Sequence, residues 1–161
     1  MNERVSLLIR EALEADLPSV LALYAQPGLD DGEVLSPEEA RTVWRQFARY
    51  PSYRLFVAQD ETNTIVGSYA LLVMHNLAHR GTPSAIAEDV VVSDAHQRQG
   101  IGRALMAHAL QQARAAGCYK LALSSNARRT EAHTFYRSLG FAQHGLSFLI
   151  ETHTASVQDL T

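Results

Sequence analysis

The sequence predicts an α/β domain in which strands and helices alternate, giving a mixed sheet with helices on both faces. Three observations support this fold class. Strand-like and helix-like patterns follow one another along most of the 161 residues. Residues 90–92 are three consecutive valines, a run typical of a strand that is buried on both faces. A polar loop containing Gly100 and Gly102 follows that run and leads directly into a long helical pattern.

Helix caps and apolar periodicity define the elements of the N-terminal half. Asp16 is a candidate N-cap of a first helix, which extends to about Gln26. Ser36 and Glu39 have the spacing of a capping box and open a second helix. Gly67 lies inside a strand pattern, which indicates a bulge or a close backbone approach. Three strands are predicted in this half, over residues 7–12, 53–59 and 64–74.

The C-terminal half continues the alternation of strands and helices. The central strand is predicted over residues 84–92, and the helix after the glycines runs to about Ala116. Thr130 is a candidate cap of a last helix, which ends at Gly140. The remaining predicted strands are a fifth strand over residues 120–124 and one or two final strands within residues 141–151.

The composition narrows the class of protein. A chain of 161 residues has the length of one domain, and we expect that domain to span residues 1–152, with residues 153–161 as a C-terminal tail. The net charge of −3 provides no basic face for a nucleic acid, and no apolar run approaches the roughly 20 residues of a membrane span. The first residues lack the apolar core of a signal peptide, and Cys118 has no second cysteine to pair with. We therefore expect a cytoplasmic protein that binds neither nucleic acid nor membrane.

The loop between the valine strand and the following helix has the features of an anion site. The first N–H groups of a helix have no intrahelical partner, and the helix dipole adds partial positive charge there. Gly100 and Gly102 allow a ligand to approach the backbone closely, and Arg98 and Arg103 add charge on either side. The loop is not a Walker A loop, since no Gly-Lys-Ser/Thr follows, and it lacks the third glycine of a dinucleotide fingerprint. Two glycines alone are equally compatible with a turn that binds nothing.

Two motifs carry a resemblance to a known superfamily. Residues 97–102, Gln-Arg-Gln-Gly-Ile-Gly, match the Gln/Arg-x-x-Gly-x-Gly/Ala loop of the GNAT superfamily of N-acetyltransferases. Asn126 and the Phe-Tyr-x-x-x-Gly-Phe helix end within residues 132–141 resemble its second signature. The resemblance is close over residues 85–151 and extends to the N-terminal half only in the order of elements. It implies a GNAT-type mixed, mostly antiparallel central sheet of six to seven strands flanked by about four helices.

The resemblance also implies acetyl-CoA as the co-substrate and assigns residues to it. GNAT members bind the pantetheine arm along the central strand, as if it were another strand, where the sheet splays, often at a bulge. The backbone of Val90, Val91 and Val92 would therefore hold the arm. Asn126 and His133 are further candidates, although asparagine is also typical of turns and a packed or solvated histidine is common. The pyrophosphate would lie against Arg98, Gln99, Gly100, Ile101, Gly102 and Arg103.

Two side chains are candidates for the chemistry. In the superfamily, the tyrosine of the Phe-Tyr pair, here Tyr136, points its hydroxyl at the CoA sulfur. A phenol with a pKa near 10 is a suitable acid for a thiolate whose thiol has a pKa of ~8.5. Strand alternation predicts that Glu88 shares a face with Val90 and Val92, where it could bind the ammonium or accept its proton through water. A packed aromatic and an ordinary paired carboxylate are the corresponding structural interpretations of Tyr136 and Glu88.

These inferences predict an acetyl-CoA-dependent N-acetyltransferase that acts by direct transfer on a small primary amine. Residues 124–136 resemble aminoalkylphosphonate N-acetyltransferases, and the Glu-Asp-x-Val-Val run at 88–92 resembles glucosamine-6-phosphate N-acetyltransferases. The alternatives are an acetyltransferase of protein N-termini or lysines, and a non-catalytic acyl-CoA sensor. No His-x-x-x-His helix with a glutamate base is present, so we expect no metal. The apolar run from Leu146 to Ile150 predicts a homodimer formed through a strand edge.

Overall fold

The computed structural model describes residues 6–153, which fall into two compact units that divide between Leu123 and Ser124. The strands of the first unit are β1 (Leu8–Glu11), β2 (Tyr53–Gln59), β3 (Ile65–Met74), β4 (Ser84–Val92) and β5 (Leu121–Ala122). Its helices are α1 (Leu17–Tyr24), α2 (Pro37–Phe47) and α3 (Ile101–Ala115), and the second unit contains α4 (Thr130–Ser138). Short 3-10 turns cover Glu14–Asp16, His79–Gly81 and Asp94–His96.

The strands form one mixed sheet in the order β1-β2-β3-β4-β5. Every neighbouring pair is antiparallel except β4 and β5, which are parallel. The predicted mixed, mostly antiparallel sheet and the four helices are therefore confirmed for the described part of the chain.

The predicted number of strands was too high. Residues 6–153 contain five strands instead of six to seven, and the final strands expected within residues 141–151 are not formed. A strand needs a partner edge for its backbone groups and a surface that covers one face. In this segment the side chains of Leu146, Phe148 and Leu149 are 76%, 88% and 87% exposed, so apolar composition alone misled the prediction.

The first unit packs helices on both faces of its sheet, as predicted. On one face, Val20 of α1 joins Leu55 and Val57 of β2 and Ala70 of β3 in a buried cluster, with Trp44 of α2 packed against it. A fully buried side chain the size of valine or leucine contributes about 1.5–3 kcal/mol to the free energy of folding. Because successive side chains of a strand alternate, α3 packs against the residues that point to the opposite face.

The close approach predicted at Gly67 is what brings α3 onto that second face. A Cβ atom at Gly67 would lie 3.0 Å from Leu105 Cδ1, 3.1 Å from Ile101 Cγ2 and 3.2 Å from the Val91 carbonyl oxygen. Only a residue without a side chain leaves room for the first turns of α3 at this distance from β3. Gly67 therefore fixes where the N-terminus of α3 lies relative to the sheet.

The predicted helix starts have different outcomes. Ser36 and Glu39 form the expected capping box, with the Glu39 N–H donating to Ser36 Oγ at 3.3 Å and the Ser36 N–H donating to Glu39 Oε2 at 2.8 Å. Asp16 does not cap α1, because its carboxylate accepts from the Leu13 N–H at 2.7 Å and from both Arg10 terminal nitrogens, at 2.7 and 2.9 Å. These charge-assisted bonds hold the pKa of Asp16 below its ordinary value. Thr130 is the first residue of α4 rather than its cap.

Candidate active site

The centre of the site is a bulge in β4. Ala70 pairs with Glu88 and Ser68 pairs with Val91, so β4 contains one residue more than β3 between these two pairs. Asp89 lies within the bulge and has a positive φ of 50°, a left-handed conformation that non-glycine residues rarely adopt. The expectation of a bulge in the central strand thus agrees with the structure.

Beyond the start of β4, one edge of the strand has no partner strand. β5 pairs only with Ala85 and Ile86, whereas β3 pairs with β4 up to Val92. Among the described residues, the backbone of residues 87–92 therefore has no strand on the side away from β3. We call this side of residues 87–92 the open edge. A row of unpaired peptide groups of this kind is a template for an added extended chain.

The bulge determines which backbone groups face the open edge. The Ser93 N–H donates to the Val66 carbonyl of β3 at 2.9 Å, so Ser93 faces inward. Strand alternation then directs the backbone of Val91 toward β3 and leaves the peptide groups of Val90 and Val92 on the open edge. Of the three valines predicted to bind an arm, Val90 and Val92 thus have peptide groups on the open edge, whereas those of Val91 face β3.

The bulge also overturns the predicted orientation of Glu88. Directly paired residues of an antiparallel ladder point to the same face, so Glu88 follows Ala70 and Val91 follows Ser68. Glu88 therefore shares a face with Val91 and not with Val90 and Val92. The extra residue shifts the alternation by one, and this shift is not visible in the run of side chains alone.

The glycine loop (residues 97–102) connects this strand to the N-terminus of α3. Arg98 and Gly100 have positive φ values of 61° and 85°, and Gly100 is the N-cap of the helix. The Ala104 N–H makes the first helical hydrogen bond, to the Gly100 carbonyl at 3.0 Å, so the N–H groups before it point out of the helix end. A Cβ on Gly100 would meet no atom within 4 Å, which shows that the space in front of this helix end is open.

The side chains of the glycine loop divide into exposed and buried groups. Arg98, Gln99 and Arg103 are exposed, and the arginines form no ion pair with any residue between 6 and 153. Ile101, the first residue of α3, is only 1% exposed because its side chain packs against the sheet near Gly67. Only its backbone therefore faces the loop. The arrangement provides backbone N–H groups, a helix dipole and two guanidinium groups for an anion.

Carboxylates surround the bulge on the side of α1. Glu88 and Asp89 are exposed, but desolvation by the surrounding chain still raises the pKa of Glu88 above its ordinary value, and the neighbouring charge of Asp89 adds to this effect. Desolvation and then the charge of Asp30 raise the pKa of Asp89 in the same way. In the described part of the chain, no ion pair includes Glu88, Asp89 or Asp30. Their unbalanced negative charge favours a cation at this place.

An open cavity of about 530 Å³ lies beside α1 and the beginning of α2. Its lining combines apolar and acidic side chains: Leu21, Tyr24, Asp30, Glu33, Val34, Leu35 and Glu39. We call it the acidic cavity. Burial raises the pKa of Tyr24, and the charge of Asp89 raises it further, which connects the bulge electrostatically to the cavity. No motif in the sequence marks Asp30 or Glu33 as part of a site.

The second unit holds Asn126, His133 and Tyr136. Asn126 Oδ1 accepts from the Arg128 N–H at 2.9 Å, the hydrogen bond of a polar turn residue. His133 Nε2 lies 2.9 Å from the Asn126 carbonyl oxygen, so these two candidates are neighbours. The half-buried Tyr136 ring lies between Phe135 and Phe141, with ring centroids 5.2 and 5.8 Å away.

The Tyr136 hydroxyl is a competent proton donor at neutral pH. Burial raises its pKa above the ordinary value of 10, and the nearby Arg129 partly opposes this effect. The hydroxyl makes no hydrogen bond to any residue in the described range 6–153. A phenol that keeps its proton and has no acceptor among residues 6–153 is available to donate to a ligand.

The fold and these features identify the class of protein. The chain belongs to the acetyltransferase (GNAT) family, whose sequence model matches residues 17–141. It is therefore an N-acetyltransferase of a family whose acetyl donor is acetyl-CoA. In the described residues, no helix is long and apolar enough to cross a membrane, and no group of three His, Cys, Asp or Glu side chains is placed to hold a metal ion.

Three relatives illustrate the similarity. The glucosamine 6-phosphate N-acetyltransferase of Trypanosoma brucei brucei is 31% identical over 144 residues, which are 89% of this chain and 95% of that protein. The aminoalkylphosphonate N-acetyltransferase of Salmonella typhimurium is 35% identical over 96 residues, 60% of each chain. The crystal structure of an acetyltransferase from Trypanosoma brucei superposes with a TM-score of 0.78 at 28% identity, covering 91% of this chain and 99% of that one.

Proposed function

We propose that this protein transfers the acetyl group of acetyl-CoA directly to the primary amine of a small molecule. The observation that carries the proposal is the continuity of two features: the open edge of β4 runs straight into the glycine loop and the N-terminus of α3. An extended arm with amide groups fits the first feature, and a diphosphate fits the second. One ligand that contains both groups in sequence accounts for the whole arrangement.

Each half of that ligand would bind to specific groups. The Val90 peptide groups and the Val92 N–H would pair with the amides of the arm. The N–H groups at the start of α3 and the exposed Arg98 and Arg103 would bind the diphosphate. The backbone around the diphosphate would be that of Gln99, Gly100 and Gly102. Asn126 and His133 are further candidates for contacts to the same ligand.

Direct transfer requires a general acid that protonates the departing sulfur and a base that accepts a proton from the amine. Acetyl-CoA supplies an activated acetyl group. The amine nitrogen attacks the thioester carbonyl carbon, the carbon–sulfur bond breaks, and Tyr136 gives its proton to the departing sulfur. Glu88, directly or through water, takes one proton from the bound ammonium before the attack, and its raised pKa makes it a better base than an ordinary carboxylate. The second proton, which the nitrogen loses after the attack, returns to Tyr136.

The charge around the bulge supports a positively charged acceptor. A primary amine is mostly protonated at neutral pH, and Asp89, Asp30 and Glu33 would attract it toward the acidic cavity. Two of the relatives, the glucosamine 6-phosphate and the aminoalkylphosphonate N-acetyltransferase, are named for acceptors that carry a phosphate or phosphonate. Among the described residues, those that line the acidic cavity include no arginine or lysine to pair with such a group. Amines without an anionic group are therefore the expected acceptors of this chain.

Thiol release from acetyl-CoA tests the proposal. Purified protein is assayed with a panel of neutral or cationic small amines, phosphorylated amines, and peptides with free N-termini or lysines. Turnover on small amines, highest for those without phosphate, is the expected result. Preference for peptides would instead indicate a protein acetyltransferase, and binding of acetyl-CoA without turnover on any acceptor would indicate a sensor.

A further inference from the structure

We infer that Gln26 is a positioning residue for acetyl-CoA, because its side-chain amide occupies the end of the open edge of β4. The Gln26 Nε2 group donates to the Val92 carbonyl oxygen at 3.2 Å, and Gln26 Oε1 accepts from the Asp94 N–H at 2.7 Å. One side chain thus joins the last residue of β4 to the first residue of the turn that leads to the glycine loop. This inference rests on the proposed function.

The two hydrogen bonds have the pattern of an added strand. Ser93 uses its own N–H inward, toward Val66 of β3, so the outward groups on either side of it are the Val92 carbonyl and the Asp94 N–H. In a parallel ladder, one residue of the neighbouring strand donates to the first of such groups and accepts from the second. A carboxamide has the same donor and acceptor as a peptide group, so Gln26 satisfies the edge as a single strand residue would.

The backbone around Gln26 is itself fixed. Its N–H donates to the Leu23 carbonyl at 3.3 Å, at the end of α1. Pro27 restricts the conformation of Gln26, and Gly28, with a φ of 90°, turns the chain away. The side-chain amide is therefore presented from a hydrogen-bonded turn that directly follows α1.

The turn that Gln26 holds is tied to the glycine loop by side chains. Asp94 Oδ1 accepts from Gln97 Nε2 at 2.8 Å, and His96 Nδ1 lies 3.1 Å from Ser93 Oγ. Residues 93–97 thus form a connected unit whose outer anchor is Gln26. Without that anchor, the Val92 carbonyl and the Asp94 N–H would lose their partners, and the approach from the strand to the diphosphate site would be free to shift.

The placement also defines how far an arm can pair along β4. The Val92 carbonyl already accepts from Gln26, whereas the Val90 peptide groups have no strand partner on the open edge in the described residues. An arm that pairs at Val90 therefore meets the Gln26 amide at the point where the amide groups end and the phosphates begin. Gln26 therefore occupies the end of the open edge at that junction and holds the turn that leads to the glycine loop.

The test compares Gln26→Ala with Gln26→Glu and uses Gln111→Ala as the matched control. Gln111 is exposed on α3, and its side chain makes no hydrogen bond to another described residue. Gln26→Ala removes both hydrogen bonds, and Gln26→Glu keeps an acceptor for Asp94 but removes the donor to Val92. The measurements are the calorimetric Kd for acetyl-CoA, kcat and KM on the best amine, and amide hydrogen exchange at Asp94.

The expected results separate positioning from a general structural effect. One hydrogen bond changes an equilibrium by about two- to tenfold, so Gln26→Ala should raise the Kd and the KM for acetyl-CoA about tenfold and leave kcat within about twofold. Exchange at Asp94 should accelerate in Gln26→Ala but not in Gln26→Glu, although both weaken acetyl-CoA binding. The Gln111→Ala variant should match the wild type in all measurements.

Two results would overturn the inference in distinguishable ways. If exchange at Asp94 accelerates in Gln26→Ala while the Kd of both Gln26 variants stays within about twofold of the wild-type value, the contact exists but acetyl-CoA does not depend on it. If the wild-type protein itself fails to bind acetyl-CoA, the proposed function is wrong, and this inference, which rests on it, is wrong as well.

Discussion

The Tyr69 hydroxyl lies 2.7 Å from Nδ1 of His108, and this contact joins β3 to the middle of α3. Phe56 packs edge-on against the same imidazole, with ring centroids 5.0 Å apart, and the Gln112 amide nitrogen lies 3.5 Å from its Nε2. A neutral imidazole offers one acceptor nitrogen to these neighbours, whereas the protonated ring has two donors and no acceptor. The Tyr69 hydroxyl can accept from Nδ1 while the Gln112 amide donates to Nε2, so the neutral form of His108 suits both neighbours and the protonated form suits only Tyr69.

This contact predicts a pH dependence of stability. Burial, and then the positive charge of Arg54, lower the pKa of His108 below its ordinary value of 6.5. The unfolded chain then binds more protons in mild acid, so the stabilisation is complete above pH 6.5 and is lost as the pH falls through the folded-state pKa. We expect the Tm to decrease between about pH 7.5 and about pH 5, and His108→Gln to flatten this decrease.

Thermal unfolding followed by circular dichroism checks the His108 prediction, with His144→Gln as the control because His144 is exposed. The two histidine variants should differ in the slope of Tm against pH. Equal slopes for the wild type and both variants would show that other groups cause the acid sensitivity.

A methyl group at Gly67 should destabilise the fold. The Cβ of Gly67→Ala would lie 3.2 Å from the Val91 carbonyl oxygen, which is backbone and cannot move aside, and 3.0 Å from Leu105 Cδ1. Overpacking of this kind costs about 1–3 kcal/mol of unfolding free energy. Chemical denaturation measures the loss. Gly145→Ala is the control, since a Cβ there meets nothing within 4 Å, and an unchanged midpoint for Gly67→Ala would contradict the packing argument.

The glycine loop provides a test with matched backbone strain. Gly100 and Gly117 lie at the two ends of α3, both have positive φ values, 85° and 73°, and a Cβ on either one would meet no atom within 4 Å. Replacing either one by tryptophan should cost a similar amount of stability, roughly 1–2 kcal/mol for the left-handed backbone. Only Gly100→Trp should abolish acetyl-CoA binding, because only that ring fills the anion site. Calorimetry measures the affinity of both variants for acetyl-CoA. If Gly100→Trp binds acetyl-CoA with wild-type affinity, the glycine loop is not the diphosphate site.

The sequence predicted the features that depend on local chemistry. The capping box at Ser36, the close approach at Gly67 and the strand–glycine loop–helix order each follow from residue types at fixed spacing. The face of Glu88 could not be predicted, because one extra residue in β4 reverses the alternation and only the pairing with β3 reveals it. The role of Gln26 was equally hidden, since its partner Val92 lies 66 residues away.

The C-terminal segment shows the opposite error. Apolar residues from Leu146 to Ile150 favour a strand by composition, but a strand also requires pairing, and residues 141–151 pair with no strand in the described part of the chain. The predicted caps differ from the structure in two ways: Asp16 stands at the N-cap position of α1 but makes no capping hydrogen bond, and Thr130 is the first residue of α4 rather than its cap. A capping side chain binds whichever partner is strongest, and for Asp16 that partner is Arg10. Competition between partners is a property of the folded structure and not of the local sequence.

The exposed C-terminal side chains keep the predicted homodimer testable. Phe148 and Leu149 are 88% and 87% exposed, and large exposed apolar side chains that are adjacent in the sequence are candidates for an interface. Light scattering at micromolar concentration should give twice the monomer mass. Phe148→Asp combined with Leu149→Asp should produce monomers, with Leu77→Asp as the control at another fully exposed leucine. A monomeric wild-type protein would refute the prediction.

The final prediction concerns Tyr136. Tyr136→Phe removes the hydroxyl but keeps the ring between Phe135 and Phe141, so the packing of α4 should be preserved. General acids contribute about 10²–10⁴-fold to a rate, and kcat should fall by that factor while the Kd for acetyl-CoA stays nearly unchanged. Tyr50→Phe, at a tyrosine that is 59% exposed, is the control and should be fully active.

The donor thiol gives this prediction a sharper form. The loss caused by Tyr136→Phe should shrink for an acyl donor whose leaving thiol is more acidic, because such a thiolate needs less protonation in the transition state. A structural role for the hydroxyl would reduce the rates with both donors equally. If kcat of Tyr136→Phe stays within about threefold of wild type, well below the general-acid range, water protonates the sulfur and Tyr136 is a packing residue.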